Sequence, residues 1–179
     1  PFVAFLEDTV VPNASWLRAI VPVLSQRGVA GVGGPVSISV SLPPRFRALG
    51  LCEYGRFQEH RFPRLSRGAR TPGGQVAVSA LPGANFAFRT QELLAAMPKP
   101  TDTMVDNEVF ERLENNGFHL AFEPAMSVVY SEPHSAGAAL STRYHRGRIF
   151  ASRALTGGSP VRRSLVAAKS LALPFVLFA

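Results

Sequence analysis

The sequence is poor in cysteine, tryptophan and acid, and each shortage excludes something. A single cysteine, Cys52, excludes an intrachain disulfide and points to a reducing compartment. That one thiol and four scattered histidines provide no zinc-ligand spacing. No segment has the basic leader of a signal peptide, and no stretch reaches the roughly 20 apolar residues that cross a bilayer. There is no internal repeat and no low-complexity tract. Neither a helix-turn-helix pattern nor an aromatic–basic RNA-binding motif occurs, so nucleic-acid binding has only net charge behind it and is not expected.

Twelve Asp and Glu face 19 Lys and Arg, a formal charge of +7. Such a balance suits a membrane surface, nucleic acid or phosphorylated substrates. The arginines gather at Arg61–Arg70, Arg143–Arg153 and Arg162–Arg163, and the last pair directly precedes the apolar tail SLVAAKSLALPFVLFA. Basic residues flanking a hydrophobic segment are a membrane-topology signal. Lys169 and Pro174 interrupt the tail, which reads as a membrane-associated segment, with the start of a spanning helix or a last core helix as alternatives. The cytoplasmic face of the cell membrane, or the cytoplasm, is the expected location.

With 179 residues, 46% of them hydrophobic, the chain can bury one real core. It opens directly on FVAFL, an apolar run that predicts a buried central strand, and this start leads us to expect a missing N-terminal portion. Glu7 and Asp8 end that run. Carboxylates at a strand end lie in the crevice where open α/β sheets bind ligands, and two of them would hold a divalent cation through oxygen. They read equally as the solvated start of a loop.

Asn13 and Ser15 offer caps for a helix through Leu24, although Pro22 falls inside it. VAGVGGPVSISV predicts a strand with a bend whose glycines let another backbone or a ligand approach closely. Residues 43–60 predict a helix, and Arg61 to Gly74 an irregular, mobile surface loop. QVAVS and NFAFR predict strands, with the Pro82-Gly83 turn before the second, and Thr90 caps a helix ending before Pro98. In TDTMVDNEVFERLENNGFHLAFEP, Val109, Phe110 and Leu113 form one helical stripe before a strand, and MSVVYSE is another strand. Asp106 opens that helix, where it either caps the N-terminus or serves as a carboxylate facing the crevice. Residues 136–155 read as a basic helix.

Taken together, four ordered segments resemble the C-terminal half of the catalytic domain of a family-2 glycosyltransferase of the GT-A fold: FLEDTVVPNASWL, LPGANFAFR, VDNEVFERLENNGFHLAFEP and RYHRGRIFA. CEYGRF is similar to a segment of a bacterial subgroup with a Glu-Asp-His acidic motif. The resemblance implies an α/β, Rossmann-like mixed sheet, incomplete at the N-terminus. It covers residues 1–155, with residues 156–179 as basic linker and membrane-associated tail. The implied activity is inverting transfer of a sugar from a nucleotide-sugar donor to a hydroxyl on a glycan, lipid-linked or other acceptor. By the same resemblance Asp106 is the general base, and Glu7 and Asp8 serve Mg²⁺ or Mn²⁺ and the donor. Asn85 and Glu108 bind acceptor, while Arg143, Arg146 and Arg148 offset diphosphate charge.

Thr9 stands where the common Asp-x-Asp motif has its last Asp, which departs from the usual metal site. The basic helix has no Gln-x-x-Arg-Trp, which argues against processive synthesis. The early βαβ units are absent, equivalent to roughly 60–100 residues at about 30 per unit, so the chain alone is expected to be inactive. The alternative is a non-catalytic membrane-surface or scaffold domain derived from such an enzyme.

Overall fold

The computed structural model describes residues 1–64, 66–97 and 106–131, with scattered positions between 135 and 168. It divides into two units, Pro1–Pro133 and His134–Ala179. In the first unit the strands are β1 Phe2–Leu6, β2 Val10–Pro12, β3 Val29–Gly33, β4 Val36–Ile38, β5 Ser66–Arg70, β6 Val76–Val78, β7 Asn85–Arg89, β8 His119–Phe122 and β9 Val128–Tyr130. The helices are α1 Trp16–Leu24, α2 Pro44–Tyr54, α3 Thr90–Ala96 and α4 Asp106–Asn115. The result is a mixed α/β unit. Six strands in the order β1-β7-β3-β8-β6-β5 form one sheet, and β2-β9-β4 form a second.

β7 is antiparallel to both β1 and β3, and β3 is parallel to β8, so β1, β3 and β8 all point the same way. The apolar run NFAFR becomes a strand buried on both faces, with Phe86 and Phe88 on one side and Asn85 and Ala87 on the other. Phe86 meets Phe5 at 4.9 Å between ring centroids, and Phe88 reaches Phe110 of α4 at 6.2 Å. This aromatic row seats α4 on the sheet, with Val109, Phe110 and Leu113 all buried as their spacing predicts. Trp16, Ile20, Val23 and Leu24 bury one stripe of α1, and Pro22 lies within that helix. Arg89 closes the end of α1, its Nε donating to the Leu24 carbonyl at 2.6 Å and its Nη2 to that of Gln26 at 2.6 Å.

The glycines between β3 and β4 serve close backbone approach. A Cβ on Gly34 would run into the main-chain carbonyl of Met126, and one on Gly33 would lie 2.9 Å from the Asn85 carbonyl oxygen.

Two expectations need correction. FVAFL is the edge of the six-stranded sheet rather than its centre, and Phe2 and Leu6 are 41% and 40% exposed. An apolar run signals burial, but strand order comes from long-range pairing that no local pattern encodes. The stretch Arg61 to Gly74 is not wholly irregular either. A 3-10 turn spans Glu59–Arg64, and Ser66–Arg70 pairs antiparallel with β6 across a register irregularity. Pairing with β6 makes this strand, since its own sequence carries no alternation.

In the second unit, the described positions between 137 and 151 and between 160 and 168 are helical. Ser135 Oγ accepts from the Ala138 amide at 3.2 Å, and Arg148 lies over the Tyr144 ring at 5.8 Å. Among the described residues no helix is long and apolar enough to cross a membrane. The apolar tail from Lys169 onward lies outside the described residues, as do Arg143 and Arg146.

Candidate functional site

Because β1, β3 and β8 are co-directional, their C-terminal ends share one end of the sheet. Glu7 follows β1 there, Gly34 follows β3 and Glu123 follows β8. Glu123 is tied in by its amide, which donates to the Gly33 carbonyl at 2.9 Å, while its Oε1 accepts from the Ala125 amide at 2.9 Å. Crevices at such strand ends are where α/β sheets place ligands.

Glu7 and Asp8 enter this end through a tight turn. The Val10 amide donates to the Glu7 carbonyl at 3.3 Å, and the Glu7 amide donates to the Ala84 carbonyl at 3.3 Å. The turn is thereby stitched to the loop that starts β7. The Glu7 side chain is half-buried and held. Its Oε2 accepts from the Tyr54 hydroxyl at 2.5 Å and from the Thr9 hydroxyl at 3.4 Å. Tyr54 comes from the last turn of α2, is itself buried, and packs on Tyr130 at 5.8 Å between ring centroids. Asp8 is exposed. One carboxylate is therefore oriented by two hydroxyls and its neighbour is open to solvent.

Thr9 is buried at 4% exposure, and its carbonyl accepts from the Ser131 amide at 3.1 Å. It occupies the position where the resemblance expects a third carboxylate, and it supports Glu7 instead. Sequence reasoning missed Tyr54. The signal was present, since Tyr54 is the aromatic hydroxyl of CEYGRF, but its partner lies 47 residues away in the chain.

Asn85 is placed differently from a free ligand. It is fully buried, its Oδ1 accepting from the Trp16 indole at 2.7 Å and its Nδ2 donating to the Met126 carbonyl at 2.6 Å. The side-chain amide joins α1, β7 and the 3-10 turn Pro124–Met126, with no exposed atom left for an acceptor.

α4 turns sharply into β8. Gly117 adopts φ +81°, and the Phe118 amide donates to the Leu113 carbonyl at 3.0 Å. Its last turn therefore sits at the His119 end of the sheet. The first turn of this ten-residue helix, about 15 Å long, begins at Asp106. The Asp106 side chain lies outside what the structure describes. Glu108 is half-buried on that first turn. A cavity of about 390 Å³ lined by Val78, Glu114, Asn115, Phe118 and His119 opens at the opposite end of the sheet and is separate from these carboxylates.

Among the described residues, no group of three or more His, Cys, Asp or Glu could hold a metal ion. Glu7 and Asp8 are two oxygen donors on consecutive residues. The chain matches no protein-family profile, and no curated protein sequence matches it.

Proposed function

We propose that this chain contributes the acidic and acceptor side of an inverting, GT-A-like glycosyltransferase that uses a nucleotide-sugar donor. The observation that carries the reading is Glu7, held by Tyr54 and Thr9 beside exposed Asp8, at the C-terminal end of β1. In this reading Asp8 and Glu7 would hold Mg²⁺ or Mn²⁺, which would supply positive charge to offset that of the departing diphosphate. Asp106 takes the proton of the acceptor hydroxyl. The acceptor oxygen forms its bond to the anomeric carbon on one face while the bond to the diphosphate oxygen breaks on the other, which inverts that centre. A carboxylate in this role contributes about 10²–10⁴-fold. The acceptor is a hydroxyl of a glycan or of a lipid-linked molecule, reached at the cytoplasmic face of the membrane.

The test is release of nucleoside diphosphate from a panel of nucleotide sugars by the full-length protein, with and without added Mn²⁺. Metal-dependent release is expected, with Asp106→Asn lowering transfer at least a hundredfold and leaving donor binding within about twofold. Unchanged turnover in that variant removes Asp106 as base. Absence of both donor binding and turnover across the panel favours the non-catalytic membrane-surface or scaffold domain, to which the presence of Thr9 in place of a third carboxylate also points.

A further inference from the structure

The net charge of +7 is unevenly distributed. Residues 43–70 carry seven arginines and two glutamates, a net charge of +5. The remainder of residues 1–133 carries five basic residues against ten acidic ones, a net charge of −5. Residues 134–179 hold seven basic residues and no acid. Along the sequence, the basic stretch of an otherwise acidic first unit thus runs through α2, the 3-10 turns after it and β5.

The outward face of α2 has an unusual composition for a solvated helix. Pro44, Arg45, Arg47, Ala48, Leu51 and Cys52 recur at helical spacing and are all exposed, with Leu51 45% exposed. Arginine and apolar side chains alternate there and no acid joins them, since Glu53 is half-buried. Two guanidinium groups lie over neighbouring aromatic rings, Arg45 over Phe46 at 4.9 Å and Arg56 over Phe57 at 4.5 Å. α2 is not segregated into an apolar and a charged face, but a surface where arginines stand among exposed apolar side chains can meet headgroup phosphates with its cations. It fits a nucleic acid poorly, because Leu51, Ala48 and Cys52 would be desolvated against phosphate with nothing to bond.

We propose that the exposed face of α2 docks the unit on a bilayer rich in anionic lipid, Arg45 and Arg47 meeting headgroup phosphates and Leu51 and Ala48 entering the interface. This inference does not depend on sugar transfer, because docking is read without substrate. It gives the unit a defined orientation. Tyr54 ends α2 and holds Glu7, so the acidic turn lies next to the docked helix, where a lipid-borne hydroxyl would be presented.

Cys52 provides the test, since it is the sole cysteine and lies exposed on the docking face. An environment-sensitive fluorophore attached to it reports contact by this face, whatever the basic second unit contributes to binding. With vesicles of mixed phosphatidylglycerol and phosphatidylcholine, a blue shift and quenching by lipids carrying a spin label in the upper acyl chain are expected. Neither is expected with pure phosphatidylcholine. Each arginine near such a surface is worth roughly fivefold in partitioning, so Arg45→Ser with Arg47→Ser should weaken the response roughly 20–30-fold. Sedimentation with vesicles while the Cys52 probe stays unshifted would overturn the proposal, as would a response unaltered in the double variant. Failure to bind anionic vesicles, with binding to single-stranded RNA that the double variant loses, would overturn it in favour of nucleic acid.

Discussion

Asn85 gives the sharpest test of how this fold is held together. The perturbation is Asn85→Ala, which removes the amide that receives the Trp16 indole N–H at 2.7 Å and donates to the Met126 carbonyl at 2.6 Å. Both partners are buried, Met126 fully. An orphaned buried donor or acceptor costs about 1–3 kcal/mol, so two of them and a small void cost about 3–4 kcal/mol. That is a large share of the 5–15 kcal/mol typical of a domain. Trp16 is the only tryptophan, so urea unfolding followed by its emission reads the loss at the bond that is cut. A large fall in midpoint with an unchanged slope is expected, together with altered native emission from the freed indole. Asn85→Asp keeps an acceptor for Trp16 but sets a carboxylate against the Met126 carbonyl, and it should cost at least as much. A loss under about 1 kcal/mol, within the range of a surface substitution, combined with a raised KM for acceptor, would refute the structural role and return Asn85 to acceptor binding.

Further outcomes follow from the same contacts. Tyr54→Phe keeps the ring on Tyr130 and deletes only the donor to half-exposed Glu7, so it should cost about 1 kcal/mol. A double-mutant cycle with Glu7→Gln should show coupling above about 0.5 kcal/mol, and strict additivity would contradict the link. Gly34→Ala forces a methyl against the Met126 main chain and should cost more than the usual 1–3 kcal/mol of overpacking. Gly28→Ala has space around it and bears only its φ of +82°, about 1 kcal/mol, so reversed order of these two melting temperatures would contradict the packing.

The features legible in the sequence are those that depend on neighbours along the chain. The stripes of α1 and α4 and the apolar runs of β3, β7 and β8 declare their elements by spacing alone. The glycines before Pro35 announce a close approach, and Met126 turns out to be what approaches. The unreadable features depend on distant partners. Asn85 after a glycine turn looks like a ligand until Trp16, 69 residues away, takes its oxygen. Thr9 shows in the sequence only as a missing carboxylate, whereas in the fold its hydroxyl donates to Glu7. β5 exists because β6 offers it an edge, and nothing in SRGAR predicts that. At the candidate site, the position of Glu7 and Asp8 at a strand end was readable, whereas the Tyr54 clamp required the tertiary structure.

Among the described residues β1 pairs on one side only, and that edge bears on how this chain by itself behaves as a colloid. Beyond its pairing with β7, this strand presents a row of amides and carbonyls flanked by Phe2, Ala4 and Leu6, with no charged residue in the run. Such an edge is a growth point for intermolecular sheet. The positive charge that would keep molecules apart is concentrated on residues 43–70 and beyond 134, far along the sequence from this strand. Concentrated solutions should therefore gel or precipitate through β1. Ala4→Lys, placed on the exposed face of that edge, is the substitution that confers repulsion where the native strand has none.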